Sequence, residues 1–139
     1  QDVIGHLRAS LPIWSINSLA QSFLESLCEY NAEFVESCAQ VRQATQALYE
    51  GLRSVSILDP YPTHGNYILC RTSADITGTE ITARLFDEFQ VLVNDCSGKP
   101  GLDSHFFRIA SRTTEENQNL VRILQVIASE TPQPEGAKG

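Results

Sequence analysis

Two prolines flank a single tyrosine in Asp59-Pro60-Tyr61-Pro62, and this stretch divides the chain into halves of different periodicity. Each proline removes a backbone donor and pushes its predecessor toward extended backbone, so no regular element is expected to run through it. Before it, apolar residues recur at helical spacing. Ile16, Leu19, Ala20, Phe23, Leu24 and Leu27 predict a helix from Ser15 to Cys28, with Ser15 as its N-cap. Phe34, Val35, Cys38, Val41, Ala44, Leu48 and Leu52 predict a second helix over about Ala32–Leu52. Its Phe34, Val41 and Leu48 face should pack on a sheet, and the first helix should be the less buried of the two. Gly51 and Ser54 close the second helix, and a short strand is predicted at Val55 to Leu58.

After the prolines the pattern shortens to strands and short helices. Asn66–Arg71, Val91–Val93 and Phe106–Ala110 predict strands, and Thr77–Phe89 predicts a helix with Ile81, Leu85 and Phe86 inward. Thr113-Thr114-Glu115-Glu116 has the form of a capping box, in which hydroxyl and carboxylate satisfy each other's backbone amides. The helix behind it carries Leu120, Ile123, Leu124 and Ile127 on one face. The expected fold class is α+β: a two-layer small domain, with a mainly antiparallel sheet of three to four strands and helices packed on one face. Residues 1–129 form this domain in the reading, and residues 130–139, rich in Pro and Gly, are expected to be a disordered tail.

Composition narrows the function. The chain has 139 residues, 42% hydrophobic and 19% charged, which suits one globular domain with a real core. No run approaches the roughly 20 apolar residues that cross a bilayer, and no signal peptide is visible at Gln1-Asp2-Val3-Ile4, so no membrane role is expected. A net charge of −7 with scattered basic residues argues against nucleic acid as a partner. Cys28, Cys38, Cys70 and Cys96 form no Cys-x-x-Cys pair, and His6, His64 and His105 stand far apart, so no metal site is expected. Cys28, Cys38 and Cys70 fall where buried thiols are common, and Cys96 falls in a polar loop without a paired base. A reducing, cytoplasmic setting fits this usage.

Three stretches carry a resemblance. Leu11-Pro12-Ile13-Trp14-Ser15-Ile16-Asn17-Ser18-Leu19-Ala20-Gln21 resembles the segment by which threonine-phosphate decarboxylases and histidinol-phosphate aminotransferases enter their small domain. Gly65-Asn66-Tyr67-Ile68-Leu69 resembles a strand of that group. Val93-Asn94-Asp95-Cys96-Ser97, Gly101-Leu102, Phe106 to Thr113, and Glu115-Glu116-Asn117 follow its later pattern in order and spacing. The resemblance runs from about Leu11 to Ala128. It implies the C-terminal small domain of a fold-type-I pyridoxal-phosphate enzyme, an aminotransferase or amino-acid decarboxylase, homodimeric when whole. Such enzymes hold the cofactor and its Schiff-base lysine in a large domain, and the small domain closes over an amino-acid substrate. The lysines here, Lys99 and Lys138, match neither that lysine nor its motif. The expectation is therefore a fragment that has no catalytic residue and no cofactor-binding residue of its own and is inactive alone. The alternative is a non-catalytic interaction or regulatory module derived from such a domain.

By the same resemblance, Arg108 binds the substrate's α-carboxylate. A guanidinium fork takes a planar carboxylate through two parallel charge-assisted bonds and so orients the substrate. The plainer reading makes Arg108 an edge-strand arginine paired with Glu115 or Glu116. Asn94 stands where the group has an arginine that contacts a substrate phosphate; asparagine donates hydrogen bonds but brings no charge. Either Lys99 supplies that charge or the substrate is not phosphorylated, and the residues lean to the second. Arg112 is expected to flank the last helix, Trp14 to pack near the domain junction or face the active-site mouth, and Asn17 to start the first helix.

Overall fold

The computed structural model describes residues 3–4, 16–73 and 75–131. Pro12, Trp14, Ser15 and the 132–139 tail, on which several expectations rest, lie outside the described residues. The chain divides into two compact units, Gln1–Ser37 and Cys38–Gly139.

In the first unit, α1 (Ser18–Ser26) starts at Asn17, whose side-chain oxygen accepts from the Ala20 amide at 2.9 Å. Asn17 thus has the helix-start role expected of it, and the N-cap is Asn17 rather than Ser15. No residue of α1 is buried; Leu19 and Phe23 are exposed. The helix α2 (Asn31–Arg53) begins in this unit and runs on into the second.

The second unit is a sheet under three helices. Its strands are β1 (Leu58–Pro60), β2 (Tyr67–Thr72), β3 (Asn94–Asp95) and β4 (Phe106–Ala110), all antiparallel, in the order β1-β2-β4-β3. The helices are the later part of α2, then α3 (Gly78–Phe89) and α4 (Thr114–Glu130). Strand alternation sends Ile68 and Cys70 from β2, and Phe107 and Ile109 from β4, to one face. There they meet Leu48 and Leu52 of α2, Ile81 and Leu85 of α3, and Leu120, Leu124 and Ile127 of α4 in one core. Each such side chain, fully buried, contributes about 1.5–3 kcal/mol. The α+β architecture with helices on one face is the one the sequence predicts. Among the described residues no helix is long and apolar enough to cross a membrane.

Several local expectations need correction. Phe34 and Val41 are exposed, because the inward stripe of α2 starts only at Thr45 and continues through Leu48 and Leu52. Thr45 tolerates burial by donating its hydroxyl proton to the Val41 carbonyl at 2.8 Å. Phe86 is exposed as well, one residue past the Ile81–Leu85 stripe. The strand expected at Val55–Leu58 begins only at Leu58: Val55 and Ile57 are buried, but in turns closed by Val55 N–H to Leu52 and Leu58 N–H to Val55. It then runs into Pro60, which the sequence excluded. An edge strand has one neighbour only, so a missing donor can face away from the ladder. Between the prolines the Tyr61 amide still donates to the Leu69 carbonyl at 2.8 Å.

The strand expected at Val91–Val93 is displaced to Asn94–Asp95. Gln90 ends α3 in the left-handed conformation with φ 57°, and the Val91 amide is spent on the Leu85 carbonyl. Residues 91–93 are therefore the exit of a helix cap. Cys28 is exposed, against the expectation of a buried thiol, while Cys96 lies in the loop after β3, as expected, and is buried there with its amide bonded to the Phe106 carbonyl.

Candidate functional site

Among the described residues of the second unit, no helix packs on the other face of the sheet. In β4 this face carries Phe106, Arg108 and Ala110, alternating with the buried Phe107 and Ile109. Register adds Tyr67, Leu69 and Arg71 from β2, Asp59 from β1 and Asn94 from β3. Because β4 is an interior strand, Arg108 has a partner on each side: Leu69 across β2 and Asn94 across β3. The structure thus brings together the two site residues named from sequence.

Aromatic rings hold the cations of this face. The Arg108 guanidinium lies 4.6 Å from the Tyr67 ring centroid, and the Arg71 guanidinium 5.9 Å from that of Phe106. Tyr61 extends the second cluster, its ring centroid 6.2 Å from that of Phe106. A cation over a ring gains about 0.5–1 kcal/mol at a wet site and keeps its fork available to an incoming anion. Among the described residues, no carboxylate forms an ion pair with either arginine.

The plainer reading of Arg108 does not hold, since β4 is not an edge and Glu116 is engaged elsewhere. Glu116 accepts from the Thr113 hydroxyl at 2.8 Å and from Arg112 Nε at 2.9 Å, and these bonds, Thr113 first, hold its carboxyl below the usual range. Arg112 is the exposed, helix-flanking arginine expected of it. The capping box is complete, the Thr113 hydroxyl accepting from the Glu116 amide at 3.3 Å.

Asn94 is exposed, and its side-chain oxygen lies 3.6 Å from the Cys96 thiol. Asp95 beside it accepts the Ser97 amide at 2.7 Å, which holds its carboxyl below the ordinary value and shapes the turn. Lys99 lies exposed in that loop, its amide bonded to the Cys96 carbonyl.

Two residues of consequence escaped the sequence reading. Asn117 is buried in α4 and fully bonded: its amide nitrogen donates to Ser111 Oγ at 3.1 Å, to the Arg112 carbonyl at 3.2 Å and to the Ala44 carbonyl at 3.4 Å, while its oxygen accepts the Arg112 amide at 2.9 Å. It ties the exit of β4 to α2. Its place in the Leu120–Leu124–Ile127 stripe was the available signal. Arg71 is the other; its alternation with Tyr67 and Leu69 places it on the face of Arg108.

This sheet and its three covering helices make an α+β small domain, a fold shared with the aminotransferase structures on which it superposes. The comparisons agree. The chain is 39% identical over 117 residues to the CMP-5'-(3-aminopropyl)phosphonate synthase of Streptomyces rubellomurinus, a match covering 83% of this chain and 18% of that protein. It is 28% identical over 127 residues to a Methanococcus maripaludis histidinol-phosphate aminotransferase, covering 90% of this chain and 33% of that one. It is 29% identical over 118 residues to the threonine-phosphate decarboxylase of Salmonella typhimurium, covering 85% and 31%. Among solved structures it superposes on the Clostridium acetobutylicum histidinol-phosphate aminotransferase with a TM-score of 0.75 at 22% identity, covering 93% of this chain and 38% of that one. The Porphyromonas gingivalis L-threonine-O-3-phosphate decarboxylase gives 0.71 at 21%, covering 92% and 39%. No family model matches. The homologues of this chain are histidinol-phosphate aminotransferases, threonine-phosphate decarboxylase and related pyridoxal-phosphate-dependent enzymes. The chain spans no more than about a third of the length of these curated relatives.

Proposed function

We propose that this chain is the C-terminal, substrate-clamping small domain of a pyridoxal-phosphate-dependent aminotransferase or amino-acid decarboxylase, and that Arg108 binds the substrate's carboxylate. The observation that carries this reading is the placement of Arg108. It sits mid-strand on the sheet face away from the helices, held over Tyr67, with no carboxylate paired to it among the described residues. A guanidinium so placed costs little to keep solvated and closes a bidentate pair when a carboxylate arrives.

Lys99, the one lysine among the described residues, is exposed on a loop. The reading assigns the cofactor, which supplies the electron sink for chemistry at the substrate's Cα, to a large domain of the kind the chain's relatives carry. This chain's share is to bind and orient the substrate. A homodimeric, cytoplasmic enzyme is the matching expectation for the whole protein.

The test is a comparison of Arg108→Ala with the parent in the full-length polypeptide that contains this chain. A fall in kcat/KM for amino-acid substrates, with fold stability nearly unchanged, supports the reading. Unchanged kinetics with a large stability loss makes Arg108 a structural residue. A full-length polypeptide without a lysine-bearing large domain would favour an interaction or regulatory module instead.

A further inference from the structure

We propose that the cleft between α2 and the loop of residues 62–65 is a binding site for a tetrahedral oxyanion, inorganic phosphate or a phosphate monoester, with Arg42 and His64 as its cationic contacts. The proposal stands apart from the carboxylate assignment of Arg108 and does not depend on it.

The site begins as a helical stripe. Arg42, Gln46 and Tyr49 stand at positions i, i+4 and i+7 of α2, so they share one face of the helix. With Pro62, Thr63 and His64 of the loop between β1 and β2, they line a cleft of about 360 Å³, all within the second unit. Thr63 shapes the loop: its hydroxyl oxygen accepts the Gly65 amide at 3.0 Å and turns the chain at His64. That bond uses a lone pair, so the Thr63 hydroxyl proton is left to donate.

Donors in excess of acceptors define the chemistry. Arg42 brings five N–H donors and forms no ion pair among the described residues. Gln46 donates one amide hydrogen to Glu50 at 2.9 Å and keeps a second. Tyr49 adds a phenolic hydroxyl. No aspartate or glutamate lines the cleft, on a chain whose net charge is −7. The acid that follows on α2, Glu50, is engaged with Gln46 and, at 3.2 Å, with Arg53. Arg42 and His64 are exposed, so both stay solvated until an anion arrives. One guanidinium fork satisfies a planar carboxylate, whereas donors reaching in from a helix and from a loop suit an acceptor whose oxygens point several ways. Pro62 and the ring of Tyr49, which packs against the core, leave an apolar wall for a carbon skeleton beside the phosphate. An anion held there ties α2 to the loop that leads into β2.

The test is an NMR titration of the 139-residue chain at constant ionic strength, following Arg42 Nε–H and the backbone amides of His64 and Gly65. Inorganic phosphate and glycerol 3-phosphate are the probes; sodium chloride and glycerol are the controls. Both phosphates should shift the three signals saturably, and neither control should. R42Q should weaken phosphate binding about tenfold, the loss of one charge-assisted contact. H64Q should weaken it too, and R71Q, which removes an equal charge from the sheet face, should leave it unchanged. Tighter binding of glycerol 3-phosphate than of phosphate supports the site and makes its occupant a monoester; equal binding supports it and makes the occupant the free anion. Signals that stay still in phosphate, or move alike in chloride, overturn the proposal. So does phosphate binding that survives R42Q undiminished or is lost with R71Q.

Discussion

Asn94 and Arg108 face each other across the β3–β4 ladder, so a neutral amide and a guanidinium share one rung of the sheet face away from the helices. Had Asn94 been an arginine, two cations would stand directly opposite, a destabilising pair unless an anion bridged them. With asparagine there, the domain keeps this face without that repulsion, and on the proposed reading recognition of the carboxylate falls to Arg108.

In the full-length polypeptide, Arg108→Ala should therefore lower kcat/KM by about 2–4 kcal/mol, the loss of a charge-assisted pair in a closed site. Fold stability should fall by less, on the order of 0.5–1 kcal/mol for the contact with Tyr67. Steady-state kinetics and urea denaturation of the same variant measure both. Arg108→Lys should recover little of the activity, because an ammonium cannot form the two-pronged pair.

By itself, the chain should be inert toward the cofactor. Lys99 is exposed on a loop, outside the desolvated setting that activates a lysine as a nucleophile. Mixed with pyridoxal phosphate and reduced with borohydride, the 139-residue chain should give no stoichiometric adduct at one lysine. A single modified lysine found by peptide mass mapping would contradict this.

A third prediction concerns how α3 is seated against β4. A Cβ at Gly78 would lie 3.0 Å from the His105 carbonyl carbon and oxygen and 3.1 Å from the Phe106 carbonyl carbon, all backbone atoms that cannot swing aside. The Thr79 amide nearby donates to the Ser104 carbonyl at 3.2 Å, so helix and strand entry are stitched together there. Gly78→Ala should destabilise the domain by about 1–3 kcal/mol through overpacking, despite alanine's better helix propensity. Chemical denaturation decides it; a neutral or stabilising outcome would mean the α3–β4 contact is slack.

How much of this was legible beforehand differs by element. Strand β4 and the Thr113–Glu116 capping box were read to the residue, because alternation and a four-residue polar signature are both local. The helix-face errors at Phe34, Val41 and Phe86 have one cause: an apolar stripe shows which side of a helix is greasy, not how far along the helix the sheet reaches. The misplaced β3 came from Gln90, whose left-handed cap has no glycine to announce it. Pro60 in a strand was missed because edge position is a property of the sheet. Of the site, Arg108 and Asn94 came from the resemblance, whereas Arg71 needed the β2–β4 register to place it on their face.

The thiols should separate by burial. Cys28 is exposed and Cys38 half-buried, whereas Cys70 and Cys96 are buried, and burial pushes the Cys70 thiol up to about 12. Only thiolate reacts with a disulfide reagent, so Cys70 is protected both by access and by protonation. Under native conditions Cys28 should react first, Cys38 more slowly, and Cys70 and Cys96 only on global unfolding. Time-resolved labelling with mass mapping would show this order, and early labelling of Cys70 would mean that the β2 face of the core opens readily.

The last prediction is an acid limit set by the helix starts. Glu80 and Glu116 each close a capping box, at α3 and α4, and each is held below its ordinary value of 4.5, chiefly by the hydroxyl of its N-cap threonine. Glu88, paired with Arg84 at 2.7 Å, and Asp95, bonded to the Ser97 amide, are lowered too. A carboxylate lowered on folding stabilises the fold at pH above its unfolded value and loses that contribution as pH falls through the folded one. Thermal midpoints should therefore hold steady above pH 5, roughly, and fall as the medium is acidified below about 4.5. In E80Q/E116Q the amide oxygens can still accept from the N-cap groups without titrating, so the capping boxes survive in a pH-independent form. That variant should show a shallower acid limb than the parent, the remaining slope belonging to Glu88 and Asp95. Melting curves by circular dichroism from pH 3 to 7 compare the two directly, and identical slopes would mean that the capping carboxylates are not what couples this fold to acid.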